Sequence, residues 1–170
     1  MDVVARSLEV DGAPVIFGLD PGRDKVGWAL TDEAGDLCLS GIIPTAGFDF
    51  LLSLLRERII EEEALRPWIL ERRTCVQRGE LQRLALGDGT SSHWFVNRLV
   101  SEGIDFSLVN ERGTTLEARV LYWKLHKPSL WRRLLPRSLW VPPRPVDDLA
   151  AWAIVLRALS KEKPSSAWKT

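Results

Sequence analysis

Residues 15–30, Val-Ile-Phe-Gly-Leu-Asp-Pro-Gly-Arg-Asp-Lys-Val-Gly-Trp-Ala-Leu, constrain the chain more than any other stretch. An apolar run ends at one acid, Asp20. Pro21 and Gly22 make a turn, and a second run leaves through Gly27, Trp28 and Ala29. The pattern predicts strands over 14–20 and 26–31 joined by a tight turn. An acid at the tip of a buried strand is costly to desolvate, so it needs a partner or a cation. Two readings fit. One is an ordinary hairpin, since Asp, Pro and Gly are common turn residues; the other is a functional site.

Asp32-Glu-Ala-Gly-Asp36 reads as a second hairpin turn, and a third strand over 37–43 stops at Pro44. Three strands joined by short loops form an antiparallel meander. Phe48, Leu51, Leu52, Leu55, Ile59 and Ile60 recur at helical spacing, which predicts a helix that Pro67 ends or kinks. Residues 68–80 read as a second short helix. A fourth strand over 81–86 enters Gly87-Asp88-Gly89. The next helix is capped by Ser91 or Ser92 and closes at Gly103. A fifth strand over 106–109 leads to a helix capped by Thr114 or Thr115 that runs to about His126, and a last helix spans 146–160. Right-handed crossovers place the fourth strand beside the first. The expected fold class is α/β, a mixed five-stranded sheet of order 3-2-1-4-5 with strand 2 antiparallel and helices on both faces.

At 170 residues with 45% hydrophobic and 27% charged, the chain has globular composition. The expectation is a single domain over 1–160, with a basic Trp/Pro-rich insertion at about 127–145 and a flexible tail over 161–170. No run approaches the roughly 18 apolar residues a bilayer requires. The first residues, Met1-Asp-Val-Val-Ala-Arg-Ser, lack the apolar core of a secretion signal. Cys38 and Cys75 lack metal-ligand spacing and read as buried thiols of a cytoplasmic protein without a membrane partner.

Lys plus Arg equals Asp plus Glu at 23 each, so net charge points to no polyanionic partner. The distribution does. Between Ala118 and Val146 there is no acid, only Arg119, Lys124, Lys127, Arg132, Arg133, Arg137 and Arg144 with Trp123, Trp131 and Trp140 interleaved. Such a segment neutralises phosphates and offers stacking faces, and Arg132 and Arg133 are its candidate substrate contacts. Trp131 and Trp140 read as a contact surface for nucleic acid or for a second subunit, which leaves a homodimer open. Glu57, Glu61, Glu62 and Glu63 read as a solvated helix face.

Asp20, Glu111 and Asp147 share one context, the end of a strand or the start of a helix at one rim, and Asp88 after the fourth strand is a further candidate. Ligands of open α/β sheets gather at strand ends where the strand order reverses. Carboxylates brought together there repel unless cations bridge them. Hard divalent ions prefer oxygen ligands, and two of them about 3.5–4 Å apart drive phosphodiester cleavage. The plainer readings are helix N-terminal charge for Asp147 and Asp148, a turn role for Asp88, and pairing with Arg112 for Glu111.

Gly18-Leu-Asp-Pro-Gly-Arg-Asp-Lys-Val-Gly-Trp28 resembles the first strand of the RuvC and YqgF nucleases of the RNase H-like superfamily. Asn110-Glu-Arg-Gly-Thr-Thr-Leu-Glu-Ala118 is similar to the YqgF motif in which Asp-Glu-Arg leads into a Glu-Ala helix. Asp147-Asp-Leu-Ala-Ala151 resembles that family's closing Asp-x-x-Ala-Ala helix. The resemblance implies an RNase H-like fold, Asp20, Glu111 and Asp147 as catalytic metal-binding acids, and Mg²⁺ or Mn²⁺ as cofactor. It also implies endonucleolytic hydrolysis of structured nucleic acid: branched DNA, as by dimeric Holliday-junction resolvases, or precursor ribosomal RNA, as in YqgF relatives.

The chain departs from that pattern at Asn110, at Gly113, at Gly87-Asp-Gly89 and in the length of its basic insertion. RuvC enzymes use a fourth-strand acid, and Asp88 starts one strand spacing, about 4.8 Å, nearer Asp20 than Glu111 does. Either acid therefore completes the metal set. Arg112, Thr114 and Thr115 stand where a helix N-terminus binds phosphate, with plain capping as the other reading. The alternative function is a catalytically inactive protein of the same fold that binds nucleic acid or a protein partner.

Overall fold

The computed structural model describes residues 11–74 and 76–162; the lead-in before residue 11, Cys75 and the tail from 163 onward lie outside the described residues. The elements in chain order are β1 (Asp11–Pro21), β2 (Lys25–Thr31), β3 (Leu37–Pro44), α1 (Phe48–Glu57), β4 (Ile59–Glu61), α2 (Glu62–Leu65), β5 (Ile69–Arg72), β6 (Arg78–Gly87), α3 (Ser92–Ser101), β7 (Ser107–Val109), α4 (Thr114–Leu125), α5 (Leu130–Arg133) and α6 (Asp147–Glu162).

β1 and β2 pair antiparallel, with Leu19 opposite Trp28 and Asp20 opposite Gly27. Asp32 shapes the next turn: its Oδ1 accepts the Asp36 N–H at 2.9 Å, and Gly35 supplies a φ of +90°. β3 then returns along β2. β6 runs parallel to β1 on its other side, and β7 runs parallel to β6. The mixed sheet therefore contains the five expected strands in the expected order, as β3-β2-β1-β6-β7.

It has seven strands, not five. β4 adds to the outer edge of β6 and β5 adds to β3. The expected continuation of the first helix through Ile60 is incorrect, because α1 stops at Arg58, which takes a left-handed φ of 57°. Ile59 and Ile60 keep helical spacing with Leu55, but both are β-branched, and their stretch pairs with Arg78–Glu80 instead. The short helix expected over 68–80 is also replaced. Pro67 sits in a single 3-10 turn, after which Ile69–Arg72 pairs with β3. Nor is the Glu57–Glu63 run simply a solvated face. Glu62 is buried, pairs with Arg72 at 2.6 Å and accepts the Val76 N–H at 3.1 Å.

Alternation along the strands sorts two faces. Val15, Phe17, Leu19, Val26, Trp28 and Leu30 pack with Phe48, Leu51 and Leu55 of α1 and Phe95 and Leu99 of α3. Phe48 and Phe95 meet edge to face at 4.7 Å, locking the two helices together. On the opposite face, Ile16, Ala29 and Ala85 pack against α6, and Ala118 and Tyr122 of α4 pack on α6 in turn. Helices thus cover both faces. α6 lies almost on the sheet backbone: a Cβ on Gly18 would come 2.5 Å from the Ala151 carbonyl oxygen, and one on Gly27 would come 2.1 Å from that of Asp147. These two glycines bring the start of α6 against the tip of β1.

Cys38 is buried, and that burial pushes its thiol up to about 11. Among the described residues no helix is long and apolar enough to cross a membrane.

A candidate carboxylate site at the rim of the sheet

Asp20 ends the buried run of β1 and lies half-buried at the rim. Burial, then the negative charges of Glu111 and Asp147, push its carboxyl up to about 7; the nearby Lys25 ammonium acts against them. Three acids far apart in sequence are thereby within electrostatic reach of one another. The separation of Asp20 from Asp147 is closed by the glycine contacts that seat α6.

Glu111 follows β7 in a loop. Burial raises its pKa first and the charge of Asp88 second, while a Gly89 N–H and a hydrogen bond with Asp20 work in the opposite direction. Asp20 and Glu111 therefore lie close enough to interact, and burial raises the pKa of both. Glu111 Oε2 is buried with no hydrogen-bond partner. The loop after β6 is shaped around this carboxylate. A Cβ on Gly89 would fall 1.7 Å from Glu111 Oε1, and one on Gly87 would fall 2.7 Å from Oε2. Gly-Asp-Gly, readable as a mere turn, is the cradle of the glutamate.

Asp88 is exposed and has a backbone task. Its Oδ1 accepts the Glu111 N–H at 3.0 Å, and its own N–H donates to the Val109 carbonyl at 2.9 Å. It therefore steers Glu111 with one oxygen already committed. Asp147 opens α6 and pairs with Lys25 Nζ at 2.8 Å. Lys25 belongs to the same hairpin as Asp20, and its position in that motif was the signal for a role here.

Two arginines hold the rim from behind. Arg157 of α6 donates to the Asn110 carbonyl at 2.5 Å and the Arg112 carbonyl at 2.9 Å, bracketing Glu111, and also binds Glu117. Arg144 donates to Asp148 Oδ1 at 2.8 Å and Oδ2 at 3.2 Å, and to Glu71 Oε1 at 2.6 Å. Asp148 is fully buried and also accepts from Ser40 Oγ at 2.7 Å. His126 Nε2 meets Glu71 at 2.7 Å. Burial pushes Glu71 up, but hydrogen bonds from His126 and Arg144 outweigh it and hold the carboxyl below its usual range. The i,i+4 spacing of Arg144 and Asp148 was the visible hint of this network.

The expected phosphate contacts divide. Thr114 is buried and its hydroxyl donates to the Glu111 carbonyl at 2.8 Å, so it does not face a ligand; neither it nor Thr115 caps α4, which starts after Gly113 with no side-chain capping bond. Arg112 and Thr115 are exposed beside it. Arg132 lies with its guanidinium 4.8 Å from the Trp123 ring centroid and donates to the Val141 carbonyl at 3.2 Å, which ties it into the inserted segment; Arg133 is exposed.

As the side chains stand, no group of three His, Cys, Asp or Glu among the described residues is disposed to hold a metal ion. The donor chemistry at the rim nonetheless suits a hard cation. It consists of carboxylates alone, one of them keeps an orphaned buried oxygen, and another holds its proton to near neutrality. No protein-family model matches the sequence, and no curated protein matches it.

Proposed function

We propose that this chain is a divalent-metal-dependent endonuclease of structured nucleic acid, with an RNase H-like fold akin to the RuvC and YqgF nucleases. Asp20, Glu111 and Asp147 are its metal-binding acids and Asp88 is the supporting carboxylate. The observation that carries this reading is the meeting of three carboxylates from three separate parts of the chain, one of which has its pKa raised to about 7. Folding at neutral pH opposes such a cluster unless positive charge answers it. The strand order β3-β2-β1-β6-β7 supports the same reading.

Bound Mg²⁺ or Mn²⁺, singly or as a pair, would supply Lewis acidity and charge neutralisation at the phosphate. The chain's own residues do the rest. Asp20 and Glu111 would offer the ion hard oxygen ligands. Lys25 pairs with Asp147 and orients it. The Gly87–Gly89 cradle and Arg157 fix the Glu111 loop, and Arg144 fixes the first turn of α6 through Asp148. Arg112, Thr115 and Arg133, all exposed, are the proposed phosphate contacts.

The test uses the full chain with a fluorescent four-way DNA junction and with folded precursor ribosomal RNA fragments, in Mg²⁺ or Mn²⁺. Cleavage of one substrate and not the other identifies its class. Absence of metal-dependent cleavage of both overturns the proposal.

A further inference from the structure

α4 is apolar on two sides. Ala118 and Tyr122 face α6. Leu116 and Val120 point the other way and stand 66% and 70% exposed. With Trp123 they form an i, i+4, i+7 stripe, which is the footprint of a helix face awaiting a neighbour. Trp140 of the inserted segment closes over this stripe, and a groove of about 500 Å³ runs between them. Arg119, Lys124 and Arg137 edge it. Of the twelve exposed large hydrophobics among the described residues, eight lie from Leu116 to Val141, so the apolar surface is concentrated here and not scattered.

We propose that this groove docks an acidic amphipathic helix of a partner protein. Charge selects the occupant. Residues 118–146 contain no acid, and the nearest one, Glu117, is engaged by Arg157. Arg119, Lys124 and Arg137 are exposed around an apolar floor, which complements a helix with an apolar stripe flanked by carboxylates. A symmetric contact with a second copy would set these cations against their own equivalents.

Nucleic acid fits less well. Leu116 and Val120 offer no stacking face, and the two indoles that line the groove, Trp123 and Trp140, are engaged within the segment. Trp123 Nε1 donates to the Trp140 carbonyl at 3.0 Å and Trp140 Nε1 to that of Leu135 at 3.1 Å, while Arg132 covers the Trp123 ring. The groove takes none of the rim acids, so this inference does not depend on the cleavage reading.

The test is titration of the full chain into a fluorescent synthetic helix of leucines at i, i+3, i+4 and i+7 with glutamates elsewhere. Its controls are the same composition scrambled and the lysine-for-glutamate version. The expected result is saturable binding by the glutamate helix alone. Affinity should fall about tenfold or more for Val120→Glu and for Arg137→Glu, as for truncated contacts at a groove, and should be unchanged for Asp20→Asn. Both substituted side chains are exposed, so the variants keep their fold, which circular dichroism verifies. Binding no tighter than the scrambled peptide overturns the proposal. So does stronger, Val120-dependent binding of a 20-nucleotide single strand or of phosphatidylserine vesicles.

Discussion

Two adjacent acids at the start of α6 have opposite surroundings. Asp148 is fully buried, yet every nearby charge is answered: Arg144 is bidentate to it and also grips Glu71, and Ser40 and His126 complete the set. Asp147 faces the rim, where burial raises the Asp20 and Glu111 carboxyls and a buried oxygen has no partner. The first cluster is finished by folding. The second is left short of positive charge, with Lys25 as its nearest cation. Burial of carboxylates is common to both, so burial alone does not mark a site; the missing partner does.

The contrast can be broken most severely from the finished side. Arg144→Ala leaves Asp148 and Glu71 buried without their shared cation, and urea unfolding should show a loss of about 3–5 kcal/mol. At the rim the cost should appear in chemistry and not in folding. Asp20→Asn should lower metal-dependent cleavage by about 10²–10³-fold, the scale for losing one preorganised electrostatic group, with no loss of stability at pH 8.

Added cation should sharpen the difference further. Mn²⁺ at a hundredfold excess over its dissociation constant should stabilise the wild-type chain by about 2.7 kcal/mol, seen as a rise in Tm that Asp20→Asn abolishes.

The remaining test is the pH profile without metal. Asp20 binds its proton more tightly folded than unfolded, since its carboxyl moves from 3.8 to about 7. Its contribution is therefore complete below about pH 4 and is lost as pH rises through 7. Glu71 does the reverse, because its lowered pKa contributes stability above its unfolded value that disappears as pH falls through the folded one. Tm measured from pH 4 to 8 should fall on the neutral side in the wild type and flatten there in Asp20→Asn. An unchanged slope would remove Asp20 as its cause.

Much of this arrangement is legible before any coordinates. Asp20 at the strand tip, the meander and the return of β6 beside β1 follow from apolar runs and turn residues, which report local structure and chain crossing. The rest depends on meetings that one-dimensional patterns do not encode. Ile59 and Ile60 obey helical spacing, and only Arg78–Glu80 draws their stretch into a strand. Glu62 sits in an acidic run that looks solvated, until Arg72 and the Val76 N–H claim it. Gly89 reads as a turn glycine because nothing nearby in sequence announces Glu111 as the group lying against it. Thr114 fits either a phosphate contact or a cap, and the fold makes it neither: its hydroxyl donates back to the Glu111 carbonyl while Gly113 stands at the cap.

The seating of α6 on Gly18 and Gly27 has a mechanical corollary. With main chain resting on main chain there is no side-chain cushion to compress, so the gap between Asp20 and Asp147 behaves as a fixed caliper. The opposite jaw is held as well, since the Gly87–Gly89 cradle and Arg157 brace the loop that carries Glu111. Ala at Gly27 would act as a shim, prying Asp147 away while leaving the acids themselves intact.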